Sequence, residues 1–391
     1  MRIVDVSAFY APRGGGVRTY IDRKLQAAGR MGHELVALVP GESDTMEQVA
    51  PSGWIRSLPS PTFPLDPRYR YFHSEPQLHA ALDALAPDFV ECGTPWSSAD
   101  KVANWPGRAP RALIMHLDVF ATYPYRWLGK VMDQQSIDRG FDWFWRRLRR
   151  LGSQYDFIVC ANNELATRTA DGGVPNVVIQ PMGVEPGVFS PQLRDMAFRA
   201  EMLADCGLGE DATLFVGVGR HSPEKRWPMI VEAVTAVGYG HDVGMVIIGE
   251  GRDTPRIEKA IAGNPHIRLL RPTRDRAAMA RLLASADCMV HGSESESFGM
   301  VGAEARASGL PMIVPDRGGM TDQAAGGVGW SYKSGNRAAL TRRLRKVLDR
   351  GLLEPTRVRS ARAAEDVRTM DRHFEELFAL YETRCRQRHA A

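Results

Sequence analysis

Cysteine is scarce in this chain of 391 residues, and the five that occur, Cys92, Cys160, Cys206, Cys288 and Cys385, are widely scattered. An odd count without C-x-x-C spacing argues against a disulfide framework and against a zinc cluster built on cysteine pairs. A reducing compartment, the cytoplasm, is the simple expectation. No apolar run is long enough to cross a bilayer, so membrane contact has to be peripheral, on the inner face of the cytoplasmic membrane. The opening MRIVDVSAFYAPRGGG enters a strand at once and has no signal-peptide core. Charge of one sign is also in short supply: 50 basic against 46 acidic residues leave a net +4, which does not suggest a nucleic-acid partner. Two phosphate motifs are missing as well. The GK[ST] ending of a Walker loop does not follow the first glycines, and no G-x-G-x-x-G follows the first strand, which disfavours a nicotinamide-dependent dehydrogenase.

What is present reads as an ordinary globular protein, 44% hydrophobic and 25% charged, long enough for two domains. RIVDVSAFY reads as a buried strand, RTYIDRKLQAAGRMG as an amphipathic helix and HELVALVP as the next strand. DFVECG, RALIMHLDVF, DFIVCAN and NVVIQP continue the strand series. Apolar strands alternating with helices predict a parallel sheet covered on both faces. Residues 184–211 break the pattern with prolines and glycines, and the alternation then restarts at TLFVGVGR and runs to PMIVP. The expectation is an α/β protein of two Rossmann-like domains facing a central cleft, residues 1–184 and 185–370. A terminal helix over 371–391, with Phe374, Leu377, Leu380 and Tyr381 on one stripe, is expected to pack near the first domain.

Four places carry candidate chemistry. Gly14, Gly15 and Gly16 sit between the first strand and first helix, where backbone can approach a phosphate; a flexible turn would use the same residues. Arg220 and Lys225, in VGVGRHSPEKRW, follow a buried strand, and two fixed cations suit a diphosphate leaving group, although solvated loop cations are the commoner case. GSESESFGMVGAEARASGLPMIV crowds Glu294, Glu296 and Glu304 around a glycine turn. Ser293 and Glu296 also fit a helix-capping box, but Glu304 lies in a helix of small residues, where a carboxylate can accept from a vicinal diol. The amides of Phe298, Gly299, Met300 and Val301 open that helix and can face a phosphate. His116 ends the apolar strand LIMHLDVF and is read either as a structural residue or as one at the mouth of a cleft.

Taken together, Gly15–Gly16, Arg220 with Lys225, and Glu296-x7-Glu304 within ESFGMVGAEARASGLPMIV resemble the retaining glycosyltransferases of family four, which have the GT-B fold. The resemblance covers nearly the whole chain and is more specific in the second half. It implies an acceptor-binding first domain and a nucleotide-sugar-binding second domain. It also implies that Glu296 contacts the donor sugar hydroxyls and Glu304 the ribose. Arg220, Lys225 and the Gly15–Gly16 backbone would hold the diphosphate, and His116 would lie near the sugar C6 hydroxyl. Such enzymes retain the anomeric configuration, with the departing phosphate taking the acceptor's proton, and need no metal; no D-x-D pair is found here. No cofactor is implied beyond the UDP- or GDP-sugar donor.

Two departures stand out. Where the family commonly has a glycine near the base pocket, this chain has Arg271, Pro272 and Thr273, and the crossing between domains reads MGVEPGVF. Thr273 is kept as a nucleotide-contact candidate. The reading is a hexosyltransferase moving a mannose- or glucose-type sugar to a lipid, lipid-linked or cell-envelope glycan. A sugar-nucleotide epimerase and a non-catalytic sugar binder are the alternatives. In FDWFWRRLRRLGS, Phe141, Phe144, Trp145, Leu148 and Leu151 form an apolar stripe, while Trp143, Arg146, Arg147 and Arg150 share another face suited to an anionic membrane surface. Glu294 receives no task.

Overall fold

The computed structural model describes residues 1–10, 16–64, 69–129 and 131–389. Gly14 of the first glycine triplet, and Gly15, expected beside the diphosphate, lie outside the described residues. The chain separates into two compact units, one of Met1–Asp118, Trp127–Pro181 and Asp371–Ala391, the other of Val119–Arg126 and Met182–Met370.

The first unit is built on β1 (Arg2–Val6), β2 (Glu34–Gly41), β3 (Thr45–Ala50), β4 (Gly53–Pro59), β5 (Phe89–Cys92), β6 (Arg111–Ile114), β7 (Phe157–Cys160) and β8 (Val177–Ile179). They lie in the order 3-4-2-1-5-6-7-8. All neighbours are parallel except β3 and β4. The central strands are near-continuous apolar runs because helices cover both faces, and β5 and β6 are buried throughout. The edge strand β3, TMEQVA, is exposed in all but its last residue, so its sequence carries no burial signal.

The second unit holds β9 (Thr213–Val218), β10 (Val243–Ile248), β11 (Ile267–Leu270), β12 (Cys288–Val290), β13 (Met312–Pro315) and β14 (Gly329–Tyr332), all parallel, in the order 11-10-9-12-13-14. Its core joins Phe215, Met245 and Ile247 of the sheet to Trp227, Ile230 and Val234 of the helix Trp227–Gly238. Fully burying side chains of this size contributes about 1.5–3 kcal/mol each. In both sheets the order reverses beside the first strand of the unit, β1 or β9, and ligands of open α/β sheets lie at the carboxyl ends of strands around such a point.

The helix Met370–His389 packs on the first unit. Met370, His373, Phe374, Leu377, Phe378 and Tyr381 are its buried residues; Phe378 takes the place expected of Leu380, which is half-buried, because 374, 377, 378 and 381 follow the helical period more closely. Tyr381 stacks on Phe89 with ring centroids 3.9 Å apart and donates to Glu91 at 2.7 Å. The segments that enter and leave the second unit pair with each other: the Val184 amide donates to Arg368, and the Met370 amide to Val184 at 2.7 Å. A side chain at Gly183 would run into the Thr369 backbone, which is why glycine stands in this crossing.

Candidate active site

In the second unit the candidate residues sit beyond β9, β11 and β12. The turn Pro223–Lys225 and the left-handed Arg226 (φ +53°) deliver the chain into the helix Trp227–Gly238. Arg220 is exposed, and its side chain meets no partner among the described residues. Lys225 turns inward and pairs with Glu296. His291, the residue after β12, is buried, with Nε2 3.6 Å from the same carboxylate oxygen, Oε1. Burial alone would raise the Glu296 carboxyl, but the Lys225 charge and the nearby imidazole hold it well below the usual carboxylate range. Burial pushes the His291 imidazole down, against the pull of Glu296.

The structure supplies the task that Glu294 lacked. Its Oε1 pairs with Arg226 and its Oε2 accepts from the Ser334 hydroxyl at 2.8 Å. Glu294 therefore ties the left-handed residue ahead of one helix to the loop after β14. It shapes the site and leaves Glu296 as the acid facing Lys225.

Glu304 lies in the helix Met300–Ala307 and is buried, as its small neighbours Ala303, Ala305 and Ala307 are. Its Oε1 accepts from Arg276 Nη2 at 2.5 Å, and Arg276 also reaches Glu185 at 3.3 Å and stacks over Phe189. The helix starts on Gly299 at φ +83°, where a Cβ would lie 2.6 Å from Met320 Sδ; only glycine fits. The Met300 and Val301 amides are in the first turn, where helical N–H groups have no intrahelical acceptor. Phe298 is buried. The Thr273 hydroxyl accepts from the Asp275 amide at 3.0 Å, which fixes the turn before the helix Arg276–Ser285.

In the first unit, Ser7, Gly93 and His116 follow β1, β5 and β6. A Cβ on Gly93 would stand 3.3 Å from the His116 ring and 3.4 Å from Ser7 Oγ, so the three strand ends are tightly drawn together. Burial lowers the His116 imidazole from 6.5 to about 4, against the pull of Asp5. Tyr20 packs edge-on against His116 and bonds His373, whose other ring nitrogen meets the Pro181 carbonyl. Gly16 opens the first helix, Gly16–Arg30.

Beneath these strand ends lies a group that the sequence reading missed. Lys24, wholly buried, bridges Asp5 at 3.1 Å and Glu91, both also buried. Burial pushes the Glu91 carboxyl up, against Lys24. A signal was available: Lys24 occupies a core-facing position beside Tyr20, Ile21, Leu25 and Ala28, and each acid interrupts an apolar strand. Arg276 and His291 carried less signal, since each looks ordinary until its partner, distant in sequence, is known.

The helix Asp142–Gln154 buries Phe144, Trp145, Leu148 and Leu151, whereas Phe141 stands at its cap outside that stripe. On the other face Trp143 is 54% exposed, and Arg146 is exposed beside Asp142 at 3.4 Å. Arg147 and Arg150 both pair with Asp100, and Arg147 also bonds the Trp96 carbonyl at 2.8 Å. One carboxylate thus holds two of the three guanidinium groups. Among the described residues no helix is long and apolar enough to cross a membrane, and no three His, Cys, Asp or Glu side chains are grouped to hold a metal ion.

Two parallel α/β units in one chain are the mark of the GT-B glycosyltransferase architecture, and solved structures share it. Sucrose-phosphate synthase from Thermosynechococcus elongatus superposes with a TM-score of 0.75 at 16% identity over 98% of both chains. A glycosyltransferase from Rickettsia africae does so at 0.69 and 14%, over 98% of this chain and 97% of that one. The family models for glycosyl transferases group 1 and glycosyltransferase family 4 match residues 199–367 and 14–188. A Mycobacterium tuberculosis GDP-mannose-dependent alpha-(1-6)-phosphatidylinositol dimannoside mannosyltransferase is 30% identical over 329 residues, 82% of this chain and 81% of that protein. A GDP-mannose-dependent alpha-mannosyltransferase of Mycolicibacterium smegmatis is 27% identical over 83% of this chain and 82% of its own. The chain belongs to glycosyltransferase family 4. It is a retaining hexosyltransferase that uses a nucleotide-sugar donor, which sets the epimerase and sugar-binder alternatives aside.

Proposed function

We propose that this enzyme transfers mannose from GDP-mannose to a lipid-linked acceptor. The observation that carries the reading is the match, over 82% of the chain, to a mannosyltransferase named for GDP-mannose and for a phosphatidylinositol mannoside. The geometry agrees with a nucleotide sugar: two acids, Glu296 and Glu304, each meet a cation in the same unit.

In this reading Glu304 accepts from the ribose diol, sharing its carboxylate with Arg276. Arg220, Lys225 and the Met300 and Val301 amides hold the diphosphate, and the loop Arg271–Thr273 lies at the base. Glu296 binds the sugar hydroxyls. His116, neutral at physiological pH because its imidazole is held near 4, serves the sugar as a hydrogen-bond partner and not as a charged acid. In the reaction the bond from the sugar C1 to the diphosphate oxygen breaks, and a bond from C1 to the acceptor oxygen forms on the same face. The acceptor's proton passes to the departing phosphate oxygen. Charge grows on that phosphate as the bond breaks, and Arg220 and Lys225 stabilise it there.

A donor screen tests the reading. GDP release from GDP-mannose is expected to rise on adding phosphatidylinositol mannosides, and release only from UDP-sugars would overturn the choice of base. Activity is expected to persist in EDTA, because the two cations supply what a metal would; strict dependence on manganese would contradict it. A lipid acceptor brings the enzyme to a membrane surface. Trp143 and Arg146 are the contact residues we retain, with Arg147 and Arg150 tied to Asp100. Co-sedimentation with anionic vesicles is expected to fall in a Trp143→Ala/Arg146→Ala variant, and equal pelleting of the two proteins would end that assignment.

A further inference from the structure

Glu296 uses its two oxygens differently. Oε1 receives Lys225 and lies 3.6 Å from His291 Nε2, whereas Oε2 has no protein partner among the described residues. His291 Nε2 is itself fully buried and makes no hydrogen bond. Such an orphaned ring nitrogen is uncommon, because leaving it unpaired costs the desolvation of the group. The backbone that carries the ring is pinned on both sides. The His291 amide donates to Ile313 at 3.0 Å, and its carbonyl accepts from the Tyr332 hydroxyl at 2.8 Å. The separation of 3.6 Å is too long for a hydrogen bond, but a shift of about 0.5 Å would make one.

We propose that His291 is the stand-by partner of Glu296 in an exchange driven by nucleotide: Lys225 leaves Glu296 for the diphosphate, and His291 Nε2–H closes onto the vacated Oε1. This rests on the reading of Lys225 as a diphosphate ligand. Without His291, the departure of Lys225 would strand a largely buried carboxylate, and that penalty would fall on nucleotide binding. With it, Oε1 stays anchored and Oε2 keeps its aim toward the sugar. His291 is thus a positioning residue. It acts through Glu296 and sets how readily Lys225 is released.

The exchange has a signature that damage to the fold would not produce. GDP and UDP lack the transferred hexose, so their binding by calorimetry reads the release of Lys225 without any contribution from Glu296 gripping that sugar; the comparison is made with whichever of the two the wild type binds. His291→Leu is expected to weaken that nucleotide by about 10- to 100-fold, the range of one lost charge-assisted hydrogen bond. His291→Gln, which can still donate, is expected to stay within a few-fold of wild type. Glu296→Gln frees Lys225 and should bind the nucleotide at least as tightly as wild type. In the double variant His291→Leu/Glu296→Gln, the affinity should return to that of Glu296→Gln, since no carboxylate is left to restrain Lys225. Wild-type affinity in His291→Leu, or a double variant as weak as His291→Leu alone, would overturn the exchange. Weaker binding by Glu296→Gln than by wild type would do so without reference to the folding of His291→Leu. Turnover of GDP-mannose separates the exchange from the reading beneath it. If Glu296→Gln keeps full turnover while the affinities follow the expected pattern, the sugar role of Glu296 fails and the exchange stands. If Glu296→Gln loses turnover but His291→Leu binds normally, the reverse holds.

Discussion

At the scale of single residues, this protein keeps its important carboxylates occupied. Glu296 has Lys225, Glu304 has Arg276, Glu294 has Arg226, and Asp5 and Glu91 share Lys24. The first two pairs are in the proposed donor site, so a substrate must compete with a cation for each acid. Glu304→Ala is expected to weaken free nucleotide by about 10-fold or more, one lost charge-assisted hydrogen bond. Calorimetry checks it, and unchanged affinity would remove Glu304 from the ribose. Lys24 belongs to the other kind of pair, with no solvent to fall back on. Lys24→Met leaves two buried acids without their cation and is expected to cost about 3–5 kcal/mol of stability, read from urea unfolding.

At the scale of elements, the strands were the most legible part. RIVDV, ELVALVPG and VGMVII announce themselves because both faces of each are covered, and continuous apolar runs are what such burial selects. TMEQVA could not be read this way, since an exposed edge strand needs no apolar face. The glutamates of the glycine turn were legible as a group, but their division of labour was not. Separating Glu294 from Glu296 requires seeing that Arg226 points to one and Lys225 to the other, which adjacent sequence positions do not reveal. The glycine that starts the helix Met300–Ala307 offers a test of element placement. Gly299→Ala forces a side chain into a left-handed position against Met320, a strain on the order of 1–3 kcal/mol. Nucleotide affinity should fall with it, because the first helical turn carries the amides assigned to the diphosphate. Normal affinity in this variant would argue that those amides bind nothing.

For the whole molecule, burial acts on several imidazoles in the same direction. Burial lowers His33, His116, His221 and His291, with His116 going from 6.5 to about 4. The sign of the consequence follows from proton uptake. Below pH 6.5 the unfolded chain takes a proton at His116 that the folded chain refuses until about pH 4. Its contribution is therefore complete above pH 6.5 and is lost as pH falls toward 4, by about 1.4 kcal/mol per pH unit for His116. Urea midpoints should drop across that window, and His116→Gln should make the drop shallower. A midpoint independent of pH over the same range would show that His116 titrates normally.

The helix Met370–His389 carries a consequence for the order of synthesis. It completes the first unit, with Phe374, Leu377, Phe378 and Tyr381 buried there, yet the ribosome makes it only after the whole stretch Met182–Met370. At roughly 5–20 residues per second, the first unit waits on the order of tens of seconds for its last layer. Until then Glu91 lacks Tyr381, and Phe89 has no ring stacked on it. The second unit has no such wait for its main stretch, so the half of the protein begun first is the half finished last. Nascent chains stalled just before Asp371 should leave the first unit open to protease, and chains released beyond Tyr381 should close it.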